Sequence, residues 1–97
     1  MDRNLRGLIE NAFDAGLKES FREDVEWIQR QILISSARDV AIGYIAGGLM
    51  SAGIGICMTS KRHYPEKEQY ADIEEIKQML KRRLPEIVES VERELNR

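Results

Sequence analysis

RDVAIGYIAGGLMSAGIGICMTSKRH, residues 38–63, lies in the middle of a chain of 97 residues that is one-third charged. Between Asp39 and Lys61 stand 21 residues without a charge, and five of them are glycine. The stretch admits three structures, and they lead to different proteins.

The first is a helix in water. Each glycine in a helix interior costs about 0.8–1 kcal/mol relative to alanine. Five of them cost about 4–5 kcal/mol, a large part of a small domain's stability. Only close helix–helix packing offsets that. The second is a β-hairpin. Met50, Ala52, Ile54, Ile56 and Met58 alternate with Ser51, Gly53, Gly55 and Cys57, and Val40, Ile42, Tyr44 and Ala46 alternate likewise, with Gly47-Gly48 as a two-residue turn. That gives an α+β arrangement, with helices packed over a two-stranded ribbon. Against it, glycine weakens strands and a lone ribbon is marginal.

The third is a single transmembrane helix at about residues 39–59. Some twenty uncharged residues match the hydrocarbon thickness of a bilayer. Gly43, Gly47, Ser51 and Gly55 lie four apart, a small-xxx-small spacing on one helical face. Such a face lets two backbones approach closely. Ile42, Ile45, Leu49 and Ile56 take the other side. Lys61, Arg62 and His63 follow at once, and Lys61 and Arg62 suit anionic head groups. Tyr44 and Tyr64 would then be interfacial anchors. The spacing resembles that of glycine-zipper membrane proteins in general and covers about a fifth of the chain. Basic residues are nearly balanced on the two sides, with a slight lean towards a cytoplasmic C-terminal side.

The flanks read as amphipathic helices. In residues 3–37, Leu5, Leu8, Ile9, Ala12, Phe13 and Leu17 recur at helical spacing. Gly16 suits a C-cap, and Ser20 with Glu23 forms a capping-box pattern that starts a second helix carrying Phe21, Val25, Ile28 and Ile32. Trp27 and the two phenylalanines fall on or near these stripes and are expected in the core. In residues 65–96, Pro65 suits a helix start and Asp72 with Glu75 suggests a restart. Ile73, Ile76, Leu80, Leu84, Val88, Val91 and Leu95 form the stripe, with an interruption expected at Pro85.

Composition excludes several classes. The formal net charge is −2, so no nucleic-acid partner is expected. The length allows one domain at most. One cysteine, Cys57, forms no internal disulfide and reads as a buried, inert thiol. The single histidine, His63, beside Lys61 and Arg62, reads as solvated, and no metal-ligand spacing occurs. The glycine run lacks the Gly-Lys-Ser/Thr of a phosphate loop and the third glycine of a dinucleotide fingerprint. Lys81-Arg82-Arg83 reads as a solvated face. The opening residues, MDRNLRGLIE, carry charges where a cleaved secretion signal needs an apolar run. Richness in Glu, Arg and Ile leans weakly towards a thermophilic source.

The expectation is a mainly α protein without a catalytic site, metal or cofactor. It is anchored in a membrane through residues 40–60 and self-associates through Gly43, Gly47, Ser51 and Gly55, as a homo-oligomer or a subunit of a larger complex. The alternative is a cytoplasmic α+β binding or regulatory domain that acts through an oligomeric interface.

Overall fold

A computed structural model of the chain describes residues 1–18, 22–31 and 36–96. Among these residues four helices form and no strand: α1 (Arg3–Lys18), α2 (Arg22–Gln31), α3 (Ala37–Ser60) and α4 (Glu66–Leu95). The hairpin alternative is therefore overturned. The glycine-rich stretch is one helix of 24 residues, and each of the other three helices packs against it. α4, at about 1.5 Å per residue, sets the long dimension of the molecule, 44 Å.

The ends of α3 have local causes. Ser36 caps its N-terminus, and its hydroxyl accepts from the Asp39 amide at 3.2 Å. Asp39 in the first turn suits the positive end of the helix dipole. α1 begins likewise, with the Asp2 carboxylate accepting from the Leu5 amide at 2.7 Å.

The core forms where one line of each helix meets the others. α1 contributes Leu5, Ile9 and Phe13, and α2 contributes Val25 and Ile28. α3 contributes Ala41, Ile45, Leu49, Gly53 and Cys57, and α4 contributes Ile76, Met79, Ile87 and Val91. α3 is long and apolar enough to cross a membrane, and 28% of its most apolar window is buried against the other helices.

Several expectations need correction. Gly16 does not end α1, which continues to Lys18; it lies where α1 meets α3, and a Cβ there would stand 2.8 Å from Leu49 Cδ2. No described glycine has a left-handed φ, so these glycines answer to space and not to backbone conformation. Leu8 and Trp27 are exposed, the latter by 57%, so neither is in the core. α4 neither restarts at Asp72 nor breaks at Pro85. Proline removes the hydrogen bond to the carbonyl four residues back, here that of Lys81. Lys81 and Pro85 are both on the exposed side, so water reaches that carbonyl. The capping serine expected at Ser20, and stripe members Phe21 and Ile32, lie outside the described residues.

Candidate functional site

Two features stand out on this framework: a buried polar cluster at the C-terminal end of α3, and the side of α3 that faces away from the core.

The cluster centres on Asp72, 1% exposed in the first third of α4. Its Oδ2 accepts from Lys61 Nζ at 2.6 Å and from the Tyr64 hydroxyl at 2.7 Å. Lys61 also pairs with Glu68, and its ammonium stands 4.8 Å from the centre of the Tyr64 ring. The Met1 ammonium lies 3.8 Å from Asp72 Oδ1 and 3.2 Å from Glu75, and Arg6 holds Glu75 from its other oxygen at 2.9 Å. Burial works against ionisation of Asp72, but the bonds from Lys61 and Tyr64 outweigh it and hold the carboxyl below its ordinary value. Burial also opposes the charge on Lys61, yet Asp72 and Glu68 hold it above its ordinary value. Burial and Asp72 push the Tyr64 phenol up.

This is a poor setting for catalysis. At neutral pH the lysine stays protonated, the tyrosine stays neutral, and the carboxylate's proton affinity is low. These shifts oppose a role for Lys61 or Tyr64 as base or nucleophile and make Asp72 a weak base. Cys57 is buried, and burial raises its thiol, which opposes reactivity. Among the described residues, no group of three His, Cys, Asp or Glu side chains could hold a metal. The cluster instead staples the end of α3 to the first third of α4.

A second clamp joins α1 to α4. Asp72, Ile76, Met79, Arg83 and Ile87 follow one another four, three, four and four residues apart, so Arg83 falls on the inward line of α4. Its guanidinium reaches Asp14 at 2.6 Å and also bonds Glu10, and both carboxylates raise its pKa. Arg83 is therefore half-buried and paired, unlike the solvated role expected for it, whereas Lys81 and Arg82 are exposed.

The outer side of α3 has the opposite character. Residues two apart on a helix differ by about 200° of rotation. The line Gly43, Gly47, Ser51 and Gly55 therefore runs directly opposite the buried line Ala41, Ile45, Leu49, Gly53 and Cys57. Gly43, Gly47 and Ser51 are exposed and Gly55 is half-buried. A Cβ on Gly43, Gly47, Gly48 or Gly55 would meet no atom within 4 Å. Beside this line, Tyr44 is 59% exposed, and a groove of about 660 Å³ runs between α3 and α1. Gly48, Ser51 and Ala52 line one wall of it, Ala12 and Gly16 the other, and Asp24 of α2 stands at its edge. The four expected packing residues thus share one open face. Lys61 and Arg62 are not brought together: Lys61 is committed to Asp72 and Glu68, while Arg62 is exposed.

Comparison with known protein families, with curated proteins and with solved structures gives no match.

Proposed function

We propose that the chain is a non-enzymatic association module that self-associates through the outer face of α3. One observation carries the reading. From Gly43 to Ala52 this face is uncharged and open, and its glycines bring no Cβ to hold a second helix away. Inside the protomer these glycines have no packing role, yet each still costs helix stability. A helix packed closely on this face would recover that cost.

The packed arrangement favours water as the medium. α4 lies along α3 and exposes Glu74, Lys77, Lys81, Arg82, Glu86 and Glu89. Each Lys or Arg at the centre of a bilayer costs about 2.5–3.5 kcal/mol. α3 cannot span a membrane while α4 stays against it. The second reading, an anchored protein with α3 as a single span, is favoured by the length and apolarity of α3 and requires α1, α2 and α4 to leave it.

Chemical cross-linking and sedimentation of Gly47→Leu with Ser51→Leu test the association. Both positions are exposed, so the protomer is expected to stay folded while the oligomer is lost. An unchanged pattern removes the proposal. Fractionation with an alkaline carbonate wash separates the two media: recovery without detergent supports the packed bundle, and retention in the pellet supports the span.

A further inference from the structure

We draw no further inference here: the strongest candidate, the uncharged outer face of α3 together with the groove between α3 and α1 that runs beside it, carries nothing beyond the association reading above, because nothing in the structure shows what covers it.

Discussion

The two faces of α3 carry the same kind of sequence and meet opposite surroundings. On the inner line, Gly53 lies under Ile76 and Ile9, where a Cβ would stand 3.0 Å from one and 3.5 Å from the other. On the outer line, Gly43 and Gly47 face open space. A glycine thus marks a close helix contact on one side and an unfilled one on the other. The difference separates the face that folds the protomer from the face the protomer leaves open.

The largest effect expected from this contrast is between two neighbours. Ile45 is buried and Tyr44 is exposed. Ile45→Ala is expected to lower stability by about 2–5 kcal/mol, as buried large-to-small changes do. Tyr44→Ala is expected to stay within about 0.5 kcal/mol of the parent at concentrations where the chain is monomeric. Urea unfolding monitored by circular dichroism makes the comparison. Equal losses would mean that the outer face is covered within the protomer, and the division between faces would fall.

The inner line continues past Cys57 into the Asp72 cluster, where the next effect lies. Asp72→Ala leaves Lys61 with Glu68 alone and is expected to cost about 3 kcal/mol. The pH dependence has a defined sign. The fold holds the Asp72 carboxyl below its ordinary value, so the folded chain binds its proton less readily than the unfolded one. Its contribution is present above about pH 4 and is lost as the pH falls through the folded value. Stability measured from pH 6 down to pH 3 should fall less steeply for Asp72→Ala than for the parent. Parallel curves would place the stabilisation elsewhere.

Much of the architecture is legible in the sequence because charges mark the outer sides of α1, α2 and α4. The spacing of four in Leu5, Ile9 and Phe13 points to buried positions; in α4 the stripe finds Ile76 and Val91 but includes exposed Leu84 and passes beside buried Met79 and Ile87. α3 offers no such mark. Both of its faces are uncharged, so although Ile45 and Leu49 fall opposite Gly43 and Gly47, no charge marks which of the two sides the protomer buries. Its length and composition also suit a membrane span, a strand pair and a core helix alike. The small line is visible as a spacing, but nothing in a spacing says whether the protomer itself fills it. Asp72, expected as a helix restart, and Arg83, expected as part of a solvated face, are misread for another reason. A charged residue on an inward line reads as a break in the stripe until a partner from a distant segment is seen, Lys61 for one and Glu10 with Asp14 for the other. Gly53 is hidden because the eye follows Gly43, Gly47 and Gly55 in their register, and Gly53 lies two residues out of it.

The smallest effect sharpens the comparison most, since it changes one methyl group on each face. In Gly43→Ala the new Cβ meets nothing, and alanine is the better helix former by about 0.8–1 kcal/mol. The monomer should gain about that amount. In Gly53→Ala the same gain in helix propensity is available, but the Cβ arrives 3.0 Å from Cγ2 of Ile76. That atom branches directly from the Ile76 Cβ and cannot swing aside as the tip of a longer chain would. Ile76 is itself fully buried, so relief requires a shift between α3 and α4. The expected order of stability is therefore Gly43→Ala above the parent and Gly53→Ala at or below it, read from urea midpoints at one low concentration. A gain at both positions would mean that the α3–α4 contact is looser than described. A loss at Gly43 under monomeric conditions would mean that something within the chain already packs on the outer face, and the partner argued for α3 would no longer be needed.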